Sequence, residues 1–249
     1  MNFTLKDLLD KEAQKRNSPR ELSASASPDP IWIAQRHQEE YAALVCALFA
    51  YGNARAIVRF LETFPFELLA SPNEPTTESF TCKGYRFQTQ EDVKQCIITL
   101  WRMRKTHSLN ELFLEGYNKE GRVEMGIANI LEVLYAANTY RSEGYLFLLG
   151  KPFEQTPKSP LKRWMMFVRW MVRHDAIDMG LWQGVQKKDL YIPLDTHTYK
   201  VAHALGLLKR KSYDFKAVQE LTCNLRAFDA NDPVKYDFAL FRLGQEKAI

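Results

Sequence analysis

The sequence lacks the features that would place the chain in a membrane or around a metal. No stretch approaches the ~20 uninterrupted apolar residues that a transmembrane helix needs. Its first residues show no basic segment followed by an apolar run, so we expect no signal peptide and no membrane partner. The four cysteines, Cys46, Cys82, Cys96 and Cys223, stand far apart and form no CxxC pair. We therefore expect reduced thiols, no metal site and no cofactor.

Strand signals are also scarce in this sequence. Nearly every apolar segment is long and has helical spacing, which predicts an all-α protein. The predicted helices cover residues 31–69 with breaks at 51–53 and 65, then 91–106, 108–116, 123–140, 161–174, 196–207, 215–228 and 234–243. Residues 17–30 and 71–79, rich in Ser and Pro, predict loops, and residues 82–87 are a candidate extended segment.

The positive charge of the chain is concentrated in its second part. Residues 1–150 carry 17 Lys and Arg against 19 Asp and Glu, whereas residues 151–249 carry 17 against 11, giving net charges of −2 and +6. Such an excess indicates an anionic partner such as nucleic acid, although a solvated basic surface has the same composition.

The most distinctive segment is 161–174, LKRWMMFVRWMVRH. It is apolar on most sides, so we expect a buried helix, with Lys162, Arg169 and Arg173 along one face. A basic stripe on a buried helix requires either anions along it or arginine stems that reach water. Lys162 stands at the helix N-terminus, where the helix dipole and partial burial favour the neutral amine of a Schiff-base nucleophile. From position alone, an ordinary surface lysine is the more common interpretation.

Two further segments carry candidate chemistry. In PLDTH, residues 193–197, Asp195 is predicted to cap a helix, a role typically worth ~1 kcal/mol. The same position holds a carboxylate ionised, ready to stabilise a developing cation, and places His197 where a phosphate can bind. In KYDFALFRLG, residues 235–244, Asp237 and Phe241 share one helix face. They suit a planar, hydrogen-bonding ligand such as a base, the alternative being a core phenylalanine beside a solvated aspartate.

In combination, these segments resemble the helix-hairpin-helix glycosylase superfamily (HhH-GPD), which includes endonuclease III and the 8-oxoguanine glycosylases. The PLDTH segment with Tyr199-Lys200-Val201 resembles the catalytic VDTHxxRV segment, and Leu161–Trp164 resembles the start of the catalytic-lysine helix. Residues 47–53, ALFAYGN, look like the early helix and turn that reach the opposite strand. From about residue 28 onward, the sequence is similar to the bacterial DUF2400 family and to the archaeal 8-oxoguanine glycosylases. Its hairpin, Lys158–Lys162, lacks the glycines of the usual LPGVGxK.

The resemblance implies a two-lobed, all-α fold with the active site in the cleft between the lobes. One glycosylase unit would span residues 1–249, with lobe one at about 41–194 and lobe two formed by about 1–40 packed with 195–249. Lys162 would be the nucleophile and Asp195 the stabilising carboxylate. Met166, Asp237 and Phe241 would form the base pocket. The expected DNA-binding residues are Asn53, His197, Arg169, Arg173, Lys209, Arg210 and Lys211.

The activity that the resemblance implies is that of a bifunctional DNA glycosylase and AP lyase acting on 8-oxoguanine in double-stranded DNA. The expected protein is a cytoplasmic monomer, associated with the nucleoid when bound to DNA. Two alternatives remain open at this stage: a glycosylase for another damaged base, and a helical DNA-binding module without catalytic activity. The pair Lys162 and Asp195 argues against the second, because a module that only binds DNA needs neither.

Overall fold

The computed structural model describes residues 4–23, 28–80 and 82–246, and over these ranges the protein is helical. Its α-helices are α1 (Leu5–Arg16), α2 (Pro19–Ser23), α3 (Ile31–His37), α4 (Glu40–Leu48), α5 (Ala54–Glu62), α6 (Gln90–Arg104), α7 (Leu109–Glu120), α8 (Val123–Ala137), α9 (Glu143–Leu149), α10 (Lys162–Val172), α11 (Thr196–Ala204), α12 (Phe215–Arg226) and α13 (Asp237–Gln245). Short 3₁₀ helices span Phe66–Ala70, Thr77–Ser79, Lys187–Asp189 and Pro233–Tyr236. The described ranges contain no β-strand, only the isolated bridges Tyr85–Gln88 and His174–Met179. The prediction of an all-α protein is confirmed.

The chain divides into two compact units. Ser25–Gln155 forms one, the continuous unit, and Met1–Ala24 together with Thr156–Ile249 forms the other, the split unit. These bounds differ from those of the expected lobes: the first boundary follows Ala24, and α10 belongs to the split unit. None of the described helices has the length and apolar character needed to cross a membrane.

The continuous unit is built around α4 and the pair α7 and α8. All of Tyr41–Leu48 is buried, so α4 has no solvent-facing side after its first residue. Helices α7 and α8 lie close together because glycines stand at their contact: a Cβ on Gly116 would collide with the backbone of Met125, and one on Gly126 with the ring of Phe113. Such close approach is what a glycine permits in a helix interior.

The split unit is built around α10, whose residues Trp164–Met171 are all buried, as the sequence predicts. Helix α1, which the sequence analysis does not identify, packs against α13. The Arg16 guanidinium donates two hydrogen bonds of 2.6 Å to the Glu246 carboxylate, and the Tyr236 hydroxyl donates to Asp10 Oδ1 at 2.8 Å. These contacts join the first helix to the last one within a single unit.

Three local expectations differ from the structure. The predicted loop 17–30 contains the short helix α2, and its residues 24–27 lie outside the described ranges. The candidate extended segment 82–87 has only the bridge of Tyr85 with Gln88. The chain turns between these two residues, which exchange two backbone hydrogen bonds. The predicted helical region 31–69 has an additional break at Gln38, whose φ of 48° is left-handed and ends α3.

Asp92 is expected to be a major contributor to stability in the continuous unit. Its carboxylate accepts hydrogen bonds from the Thr89 amide at 2.7 Å, the Thr89 hydroxyl and Tyr140 at 2.9 Å each, and Ser142. Asp92→Ala leaves these donors unpaired in a site only 2% exposed, and we expect a loss of about 3 kcal/mol in the free energy of unfolding, measured by urea denaturation.

A matched variant and a pH series test this prediction. Asp7→Ala removes the equivalent carboxylate from the capping box of α1, which is exposed and has fewer partners, so a much smaller loss is expected. Burial alone would raise the pKa of Asp92, but the hydrogen bonds from Ser142, Thr89 and Tyr140 lower it overall. The stabilisation is therefore complete above about pH 4 and is lost as pH falls through the lower pKa of the folded protein. Equal losses in the two variants would contradict the prediction.

Candidate active site

Lys162 is the first residue of α10 and is half-buried. The residue before it, Leu161, is the N-cap, with a φ of 50° and a side chain only 8% exposed. A left-handed backbone is unfavourable for a leucine, so the surrounding packing must hold this turn in place. The segment 158–162, which lacks glycine, therefore turns at Leu161, directly before Lys162 begins the helix.

Asp195 is the N-cap of α11, as the sequence predicts. Its side chain accepts a hydrogen bond from the Thr198 amide at 2.8 Å, so the first turn of the helix stabilises the carboxylate. Beside it lies Tyr213, which the sequence analysis misses. The Tyr213 hydroxyl donates to the Leu194 carbonyl at 2.6 Å. The residue is 43% exposed, but desolvation of its phenol, together with the charge of Asp195, raises the pKa of that phenol.

Asp237 begins α13 and is 6% exposed. Burial raises the pKa of its carboxyl to about 6, against the opposing charge of Arg169. Two further groups act on the same carboxyl: Asp195 raises its pKa and Lys162 lowers it. Because such influence falls off with distance, Lys162, Asp195 and Asp237 lie near one another, although they are separated in the sequence and begin or cap three different helices.

The basic stripe of α10 finds its anions inside the protein. Arg169 donates to Asp178 at 3.0 and 3.1 Å and to Asp237, while Arg173 donates to Asp178 and, at 3.0 and 3.1 Å, to Asp232. With Arg169 only 4% exposed, its guanidinium is not on a surface that a DNA phosphate can reach. The structure therefore does not support the expected DNA contacts of Arg169 and Arg173, because both guanidinium groups are already paired with carboxylates of the same unit.

The residues expected to form the base pocket lie on the same helices as Lys162, Asp195 and Asp237. Helices α11 and α13 pack together where Gly244 meets His197 and Val201. On the same faces, the rings of His197 and Phe241 make a perpendicular contact with centroids 5.9 Å apart. Met166 is buried one turn beyond Lys162 on α10. Phe241 is half-buried and His197 is exposed, so both remain accessible to a ligand.

The expected DNA-binding residues of the loop 209–211 differ in their availability. Lys209 and Lys211 are exposed, whereas Arg210 is paired with Asp214 at 2.5 and 2.7 Å. The Tyr199 hydroxyl donates to the Lys211 carbonyl at 2.7 Å, which ties this loop to α11.

Asn53 belongs to the continuous unit and caps α5 there. Its side-chain oxygen accepts from the amides of Arg55 and Ala56 at 3.0 and 3.3 Å, and the residue is exposed. A capping role explains this asparagine locally, and its expected contact with DNA stays a prediction. Within the part of the chain that the structure describes, no group of three or more His, Cys, Asp or Glu side chains is arranged to hold a metal ion.

Comparison with known proteins identifies one relationship. The model of the family described as "Protein of unknown function (DUF2400)" matches residues 29–246. No curated protein and no solved structure gives a significant match.

Proposed function

The chain belongs to the DUF2400 family, and we propose that it is a bifunctional DNA glycosylase and AP lyase that removes 8-oxoguanine from double-stranded DNA. The observation that supports this proposal is that Lys162, Asp195 and Asp237 belong to one unit and that the charges of the first two act on the third. An amine at a helix start, an anion at a helix cap and a buried carboxyl form a suitable set for lysine-based base excision. The helix-hairpin-helix glycosylase fold is part of the same proposal, as are a cytoplasmic location and a monomeric state.

The proposed reaction begins with a damaged nucleotide flipped out of the duplex. The Lys162 amine attacks C1′ of the deoxyribose, and the bond from C1′ to the base breaks, its electron pair leaving with the base, which takes up a proton. The Asp195 carboxylate stabilises the positive charge that develops on the sugar. The nitrogen then loses one proton, and its lone pair forms a double bond to C1′ as the bond from C1′ to O4′ breaks. O4′ takes up a proton, which leaves a protonated Schiff base on an open sugar. Removal of a proton from C2′ then expels the 3′ phosphate by β-elimination, and water releases Lys162.

Recognition of the base is assigned to Asp237, Phe241 and Met166. Phe241 offers a half-buried ring for stacking, and Asp237 offers a carboxylate that is ionised at neutral pH because its pKa is about 6. An ionised carboxylate only accepts hydrogen bonds, so it suits a base edge with N–H donors, as guanine derivatives have. Lys209, Lys211 and His197 are proposed to contact the backbone phosphates, and Asn53 the orphaned partner base.

The test is strand cleavage with borohydride trapping on a duplex that carries one 8-oxoguanine opposite cytosine. We expect cleavage and a covalent adduct between the protein and the DNA. Base release without an adduct would show a glycosylase that lacks lyase activity and would remove Lys162 from its role. Salt-dependent binding without base release would favour another lesion or a module that only binds DNA, and a panel of damaged bases separates these two outcomes.

The two exposed lysines of the loop 209–211 give a prediction about DNA affinity. Replacing Lys209 and Lys211 by alanine is expected to weaken binding to any duplex sequence. The slope of log K against log salt concentration should fall by about 1 for each lysine removed. Fluorescence anisotropy at several salt concentrations measures this slope. Lys119→Ala, an exposed lysine near the end of α7, is the control, and an equal change in that variant would argue against a specific role for the loop.

A further inference from the structure

A cluster of buried ion pairs connects α10 to Asp178 and to Asp237, and the function proposed above uses only Asp237 of this cluster. Arg169 is its centre: Nε and Nη2 donate to Asp178 Oδ1 at 3.1 and 3.0 Å, and Nη1 donates to Asp237 Oδ2. Asp178 also accepts from Arg173, which pairs in turn with Asp232. Buried charges are costly unless paired in this way, so the cluster fixes the side chains that belong to it.

We propose that Arg169 is a positioning residue: held by Asp178, it fixes the orientation of the Asp237 carboxylate and keeps it an acceptor for the bound base. This inference rests on the proposed function for the identity of the ligand. The effect of Arg169 on Asp237 itself can be measured without any ligand.

The charges that face Asp237 support this role. From α10 come Arg169 and Lys162, from the cap of α11 comes Asp195, and from the irregular segment after α10 comes Asp178. On α1, which also packs against α13, Arg16 pairs with Glu12, Glu21 and Glu246, the last of these directly after α13 ends.

Arg169 is the stronger of the two cations that act on Asp237, while burial and both neighbouring carboxylates favour its protonation. Without this guanidinium, the carboxyl should hold its proton to a higher pH and become a donor instead of an acceptor. A base edge with N–H donors would then lose its partner, although the fold around it remains in place.

Arg169→Gln tests the role, with Arg173→Gln as the matched control. Arg169 is on α10 and Arg173 is the C-cap of the same helix. Both donate to Asp178, but the hydrogen bond to Asp237 comes from Arg169. We expect the acid limb of the pH profile for base release, measured under single-turnover conditions, to move upward by about one unit or more in Arg169→Gln. The limb should not move in Arg173→Gln. Near pH 6, the rate of Arg169→Gln should then be several-fold to tenfold lower than that of the wild type.

A second measurement does not depend on activity. The ¹³C chemical shift of the Asp237 carboxyl, followed by NMR through a pH titration, reports its midpoint directly in each variant. If Arg169→Gln folds poorly, the double variant Arg169→Gln/Asp178→Asn removes one buried charge of each sign and allows the same titration.

The two possible failures are distinguishable. An Asp237 midpoint that is the same in the Arg169 variants and in Arg173→Gln would overturn the inference. A shifted midpoint in a protein that releases no base from any lesion would uphold the role of Arg169 and reject the glycosylase.

Discussion

Replacement of Lys162 by alanine is expected to abolish the borohydride-trapped adduct and to reduce base release by at least about 10³-fold. The covalent step requires an amine at the start of α10, and alanine supplies none. Alanine is also a good helix former, so the first turn of α10 should persist. Denaturing gels resolve the adduct, and single-turnover kinetics on the 8-oxoguanine duplex give the rate of base release.

Lys188→Ala is the control for this experiment. Lys188 is an exposed lysine in a short 3₁₀ helix of the same unit. Together with its neighbour Lys187, it is the next candidate if Lys162 is not the reacting amine. We expect full adduct formation in Lys188→Ala. An adduct that persists in Lys162→Ala and disappears in Lys188→Ala would reassign the nucleophile to Lys188. An adduct that persists in both variants would show that neither of these lysines is the nucleophile.

Asp195→Asn is expected to slow base release by about 10²- to 10³-fold with little effect on folding. An asparagine caps a helix about as well as an aspartate, so the hydrogen bond from the Thr198 amide is retained. What the variant loses is the negative charge that stabilises the developing sugar cation, and the loss of one such electrostatic contact has an effect of this order. Single-turnover rates and melting temperatures measured on the same preparation separate the two effects.

Asp214→Asn provides a close match for that variant. Asp214 caps α12 in the same unit, and its side chain accepts from the Ala217 amide as that of Asp195 accepts from Thr198. Both substitutions exchange a capping carboxylate for a capping amide. Asp214→Asn also breaks the ion pair with Arg210, but a pair this exposed contributes little, so the melting temperatures should differ only slightly. Asp195→Asn alone should change the rate. A similar fall in rate for both variants would indicate that the capping residues act through stability and not through charge at the reacting sugar.

Features that depend on local sequence could be predicted in this chain. The cap at Asp195 follows from a short polar side chain before an apolar helical pattern, and the burial of 164–171 follows from apolar residues on most sides of one helix. The bounds of α6, α10 and α12 fall within about two residues of the predicted ones, as expected for helix ends.

Features that depend on tertiary packing could not be predicted in the same way. The carboxylates that pair with Arg169 and Arg173 come from Asp178 and Asp232, which lie in irregular segments without a periodic signal. The sequence pattern indicates that the stripe needs anions, but it does not distinguish an internal aspartate from a DNA phosphate. The place of Tyr213 cannot be predicted for a related reason, since its contact with Leu194 joins residues 19 positions apart.

The split unit has a consequence for the order in which this protein matures. A ribosome completes Ser25–Gln155 as one uninterrupted segment, which is free to fold while synthesis continues. Helix α1, although made before this segment, has its partners on α13 and in the segment just before it, which emerge only after the continuous unit. Lys162 and Asp195 therefore exist in the nascent chain before Asp237 and α13 join them. Assembly of the candidate site thus follows synthesis of the whole continuous unit, and a chain interrupted before α13 would carry Lys162 without Asp237.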